Sequence, residues 1–117
     1  MNELITTIFK DFTVDGNKIP VVYMRYNGHE QIYVTWMQYD MDNSYAGDDE
    51  LLGYVGYYDF DVFSKGNFLN VIEQIKKIMK DNDFVFQPSR CSPDMFEDDT
   101  GYYHKTLSFA IYEQEAL

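Results

Sequence analysis

Two apolar periods lie back to back in the middle of this chain, and together they constrain its fold more than any other feature. From Leu51 to Phe63 the sequence alternates: Leu52, Tyr54, Tyr58, Phe60 and Val62 share one parity, while Asp59 and Asp61 fall on the other. A period of two predicts a strand with one buried face. From Phe68 to Met79 the spacing changes, and Phe68, Val71, Ile72, Ile75, Ile78 and Met79 form a single helical stripe. Asn67 is placed to cap this helix. Lys76, Lys77 and Lys80 lie near its C-terminal end, where the helix dipole favours cations, and Asn82 is placed to take the left-handed conformation that stops it. A strand and a helix that must each bury one side predict a helix packed on a sheet.

The rest of the chain extends that pattern. Leu4, Ile5, Ile8, Phe9 and Phe12 have helical spacing, so residues 2–12 read as a short amphipathic helix. Asp15-Gly16-Asn17 reads as a turn, and Pro20 to Tyr26 as a strand that begins on proline. Asn27-Gly28 is a hairpin signal, leading into a returning strand from Gln31 to Tyr39. Met41 to Asp49 reads as a polar loop. Gly53 and Gly56 mark a bulge or a close backbone approach in the long strand. Phe84 to Phe86 is a short strand ended by Pro88. Ser89 to Gly101 is a polar loop, and Tyr103, Leu107, Phe109 and Ile111 are the apolar face of a last strand. The expected fold is α+β, in the order α-β-β-β-α-β-β. It has a mainly antiparallel sheet of four to five strands with both helices on one face, and one domain spanning residues 1–117. Repeats, low-complexity tracts and linkers are absent from the sequence.

Charge narrows the partners. The chain carries 20 acidic and 9 basic residues, for a net charge of −11. Asp40, Asp42, Asp48, Asp49, Glu50, Asp59 and Asp61 occupy a stretch without lysine or arginine, as do Asp94, Glu97, Asp98 and Asp99. These two stretches account for the whole excess, and the remainder is neutral. Such patches repel phosphate and exclude nucleic-acid binding through a basic face. They suit a cation, a basic partner, a surface that DNA slides past, or plain solvation. The apolar runs are shorter than a bilayer requires. The first twelve residues lack the basic and small-residue features of a secretory signal, which predicts a protein retained in the cytoplasm or built into a particle there.

The sequence offers little chemistry. Cys91 is the only cysteine, which excludes an internal disulfide and a cysteine zinc cluster. Arg90 adjoins it, but acids follow, an unfavourable field for a thiolate. Asp40, Asp42, Ser44, Gly47 and Asp48 resemble a calcium loop, yet the sixth and twelfth positions hold Tyr45 and Leu51 where glycine and glutamate are needed. Asp59 and Asp61 are a carboxylate pair on one strand face, more simply read as a charged outer face. His29 sits beside a turn. His104 lies opposite the apolar parity of the last strand, and neither histidine adjoins a nucleophile motif. The expectation is a protein with no catalytic residue, no metal and no cofactor.

Tyrosine points elsewhere. The chain has eleven tyrosines, among them Tyr23, Tyr26, Tyr33, Tyr39, Tyr54, Tyr57, Tyr58, Tyr102, Tyr103 and Tyr112. They exceed what one small core can hide, and tyrosine is favoured at protein interfaces. Tyr39, Tyr57, Asp59, Asp61, Tyr102 and His104 are the candidate interface residues.

The run YDFDVFSKGN at 58–67, the helix after it, and QPSRCSPDMFEDDTGYYHKTLSFAIY at 87–112 resemble the tail terminator, or tail completion, proteins of long-tailed phages infecting Gram-positive hosts. The resemblance covers nearly the whole chain and is strongest in its second half. It implies a homo-oligomeric ring, typically hexameric, that caps the tail tube, ends its polymerisation and presents a joining surface to the head connector or stopper. DNA passes through such a ring without specific binding. The implied location is the tail or neck of the virion, with assembly in the host cytoplasm. No cofactor or catalytic residue comes with the resemblance, and no membrane is involved. One acidic stretch, Asp40 to Glu50 or Asp94 to Asp99, is the candidate channel lining. The competing reading is a small acidic inhibitor that mimics DNA on a host nucleic-acid-binding enzyme.

Overall fold

The computed structural model describes residues 2–45 and 51–114. Their order is α1 (Asn2–Ile8), β1 (Thr13–Val14), β2 (Asn17–Lys18), β3 (Val21–Tyr23), β4 (Ile32–Tyr45), β5 (Leu51–Ser64), α2 (Leu69–Asp81), β6 (Val85–Phe86), a 3-10 turn (Pro88–Arg90), β7 (Met95–Glu97) and β8 (Tyr102–Gln114). The class is α+β, as expected. The strand count differs: a six-stranded sheet ordered β3-β4-β5-β8-β6, with β7 also on β8, is joined by a separate β1-β2 ribbon. All pairings are antiparallel except β3 on β4.

Both amphipathic patterns bury the side that the sequence predicts. Ile5 and Phe9, at and just beyond α1, meet Val71, Ile72, Ile75 and Met79 of α2 over Val34, Trp36, Tyr58, Phe60, Val62, Leu107 and Phe109 of the sheet. Aromatic edges organise this core: Phe60 lies 5.3 Å from Phe9 and 5.7 Å from Phe109, ring centre to ring centre. The N-cap of α2 is Phe68, without a side-chain cap, rather than Asn67, which lies one residue earlier and accepts the Leu69 N–H through Oδ1 at 2.9 Å. At the other end Asn82 is not left-handed, with φ −112°. The left-handed residue is Asp83, at φ 69°, and Asn82 instead donates its amide to the Ile78 carbonyl at 2.8 Å.

Four local expectations are corrected. The first helix ends at Ile8, short of Phe12. The Asn27-Gly28 hairpin does not form, because β3 runs parallel to β4 with Val21 opposite Val34 and Tyr23 opposite Trp36. Neither Asn27 nor Gly28 has the positive φ that a tight hairpin needs; Met24 has it, at φ 60°. Gly28 lies under the tip of the Tyr26 side chain, whose hydroxyl would be 2.0 Å from a Cβ there, so a larger residue would push that ring aside. The Met41–Asp49 loop is strand as far as Tyr45, held by cross-strand pairing with β5. The Ser89–Gly101 loop contains the 3-10 turn and β7. Two expectations stand. Asp15 and Gly16, at φ 53° and 82°, make the two-residue turn of the β1-β2 ribbon. The β4-β5 ladder shifts register at Tyr39 and again beside Gly53.

Candidate functional site

The helices cover one face of the sheet. By strand alternation the other face carries Tyr33, Thr35 and Met37 from β4, Tyr57, Asp59, Asp61 and Phe63 from β5, and Tyr102, His104, Thr106 and Ser108 from β8. The candidate interface residues Tyr57, Asp59, Asp61, Tyr102 and His104 therefore share this open face, and Tyr39 joins them at the β4 bulge.

Aromatic rings form a column across one end. Tyr26 stacks on Tyr33 at 4.6 Å, Tyr33 on Phe63 at 4.7 Å and Phe63 on His104 at 4.2 Å. Tyr102 meets Tyr33 edge-on at 5.4 Å and donates its hydroxyl to the Glu30 carbonyl at 2.9 Å. Burial raises the pKa of the Tyr33 phenol, with the neighbouring Tyr102 and the Glu97 charge adding to the effect.

His104 closes the column between two acids. Nε2 lies 3.0 Å from Asp61 Oδ1 and Nδ1 lies 3.3 Å from Glu97 Oε2. The neutral ring can donate to one of them and the imidazolium to both. The same Asp61 oxygen accepts the Thr106 hydroxyl at 2.5 Å. This arrangement positions the histidine firmly. Cys91, whose Sγ donates to the Gln87 carbonyl at 3.2 Å and accepts the Ser108 N–H at 3.4 Å, is tied to backbone. Among the described residues no group of three His, Cys, Asp or Glu side chains is placed to hold a metal, and no helix is long and apolar enough to cross a membrane.

At the other end Arg90 reaches over the face from the 3-10 turn. Its guanidinium lies 3.9 Å from the Tyr57 ring centre and 5.3 Å from that of Tyr39. Beside it Asp59 is half-buried. Burial raises its pKa above the ordinary carboxylate value, and the Asp61 charge adds to this; the Ser108 hydroxyl and Arg90 pull it back. Ser108 Oγ faces this carboxylate without meeting strict hydrogen-bond geometry, so Asp59 Oδ1 and Ser108 Oγ are both buried without a protein partner. A raised folded-state pKa gives stability that is complete below the unfolded value of 3.8 and is lost as pH rises through the folded value. Asp59→Asn is therefore expected to raise the melting temperature at pH 7 by about 2–4 °C. The gain should shrink towards pH 4, and melting curves of both proteins across this range would show it. A gain independent of pH would mean that the charge of Asp59 is not the cause.

The acids of the two predicted patches separate. Asp40 and Asp42 lie on β4 opposite Tyr57 and Val55, while Asp48, Asp49 and Glu50 lie outside the described residues. Asp94, Glu97, Asp98 and Asp99 lie at the opposite end, where β7 meets β8 level with Ser64. From Tyr57 to Ser64 the strand runs roughly 23 Å at its usual rise. Asp94 pairs with Lys105 at 2.8 Å, and Asp98 and Asp99 are exposed. Glu97 turns inward to His104, so it is not simply a solvated charge. His29 is exposed. Sequence reasoning missed Arg90, Thr106 and Ser108 as members of the face. The last two share the parity of His104, a signal that was present; Arg90 carried none.

No family model matches the chain, and comparison with curated proteins finds no significant relative.

Proposed function

We propose that the chain is a structural protein of a phage tail that forms a ring on the tail tube, ends its polymerisation and offers the joining surface to the head connector, with DNA passing through. The observation that supports this most is the sheet face that the helices leave open, on which the six candidate interface residues gather. A ring closed by rotation needs two different complementary patches on each subunit; a half-buried aromatic face with a fixed histidine-carboxylate cluster suits one of them. One acidic end of the sheet lines the channel in this reading and keeps phosphate from sticking. A ring with both acidic ends on its outer wall would defeat that part.

The test is mass measurement of the purified protein, alone and mixed with tail tube protein. The expected result is a closed oligomer in at least one of the two, together with overlong tubes when the gene is lost. A strict monomer in both would overturn the reading. The net charge of −11 favours a second reading, a DNA mimic that blocks a basic site on a host enzyme. Such a mimic would bind a host nucleic-acid-binding protein with steep salt dependence.

A further inference from the structure

Asn27-Gly28 has the residues of a tight turn and no turn to hold them. The pair lies in the connection between β3 and β4, both residues are exposed, and neither has the positive φ of a hairpin. The hydrogen bonds that tie this connection down pass the pair by. The Tyr26 hydroxyl accepts the Glu30 N–H at 3.3 Å, and the Glu30 carbonyl accepts the Tyr102 hydroxyl at 2.9 Å. Among the described residues the Gly28 N–H meets no backbone acceptor, so it is left to water.

A side-chain amide next to a bare, hydrated peptide nitrogen is a reactive pair. Glycine leaves that nitrogen open to approach because it has no Cβ, and an exposed connection can turn through the conformation that closure requires. The other asparagines lack these conditions, and none of them precedes glycine. Asn67 and Asn82 bond to backbone groups at 2.9 and 2.8 Å, and Asn70 donates to Asp15 from within α2. The similar pair Asp15-Gly16 is fixed in the turn of the β1-β2 ribbon, with its carboxylate held by Asn70 at 2.9 Å.

We propose that Asn27 is a site of spontaneous deamidation, converting to a mixture of aspartate and isoaspartate through a cyclic imide with Gly28. The Gly28 nitrogen gives up its proton and attacks the side-chain carbonyl carbon of Asn27. A new C–N bond forms, the bond to the side-chain nitrogen breaks, and that nitrogen leaves as ammonia. Water then opens the five-membered imide. Cleavage at the side-chain carbonyl gives aspartate; cleavage at the backbone carbonyl gives isoaspartate, whose main chain is one carbon longer. That extra carbon falls between Tyr26 and Glu30, the two residues that anchor the connection. Their hydrogen bond is expected to be lost and Tyr26 to leave its stack on Tyr33, now at 4.6 Å. The proposal is independent of the ring reading.

The test is incubation of the purified full chain at 37 °C, at about pH 6 and about pH 8, followed by digestion and peptide mass mapping. Isoaspartate is detected by enzymatic methylation. Conversion at Asn27 is expected at least tenfold faster than at any other asparagine and at least tenfold faster at the higher pH, because the attacking nitrogen must lose its proton. Both products should form. Asn27→Gln, which would have to close a six-membered ring, should show no conversion at that position over the same period. An intact Asn27, conversion at another asparagine at a comparable rate, or aspartate without isoaspartate would overturn the proposal. Amide chemical shifts of the converted protein should move at Tyr26, Glu30 and Tyr33; unchanged signals there would overturn the effect on the aromatic column.

Discussion

Phe60→Ala is expected to destabilise the protein by about 3–5 kcal/mol and to lower its melting temperature by roughly 15 °C. Phe60 is fully buried on the central strand, and its ring contacts the first helical segment through Phe9, β4 through Trp36 at 6.4 Å and β8 through Phe109. Removing it opens a cavity bounded by three separate elements, which cannot all close in because the strands on both sides are fixed in register by long ladders. Urea and thermal unfolding of the variant against the parent measure the effect. A loss below about 1 kcal/mol would mean that the core does not converge on this ring.

Asp61→Ala is expected to cost about 2 kcal/mol, or roughly 8 °C, through the donors it leaves behind. Its Oδ1 receives both the Thr106 hydroxyl and the His104 ring, and both are partly buried on the open face. Asp61→Asn keeps an acceptor at that position and should recover at least half of the loss. The pair of variants separates structure from assembly. If the uncovered face is a subunit contact, Asp61→Asn will fold and still weaken oligomer formation, because the charge on the face changes. If it restores both stability and assembly, Asp61 serves only to hold the strands. The readout is melting temperature beside solution mass for each variant.

The two dominant elements were legible because their signal comes from burial itself: a residue such as Tyr58 or Ile75 must be inside, and its parity or spacing then fixes its neighbours. The failures share the opposite cause. Asn27-Gly28 encodes a turn that the chain has no occasion to use, because β3 finds its partner in parallel through Val34 and Trp36. Asp40 to Ser44 has the composition of a loop, yet it is strand, since the ladder to β5 supplies hydrogen bonds that propensity does not register. The candidate site was half visible. Asp59, Asp61 and His104 could be placed opposite the apolar parity, but Glu97 and Arg90 arrive from a stretch that reads as polar loop. Where such a stretch lays its side chains is decided by tertiary contact.

The ladder between β5 and β8 also bears on how the protein is made. It joins Gly53 to Gln114 and Ser64 to Tyr103, so a strand in the middle of the sheet waits for the strand that leaves the ribosome after all the others described. Until then β4 and β5 form a hairpin with a bare outer edge, a template for any passing strand. β5 carries Asp59 and Asp61, and charged side chains on an edge strand disfavour such pairing.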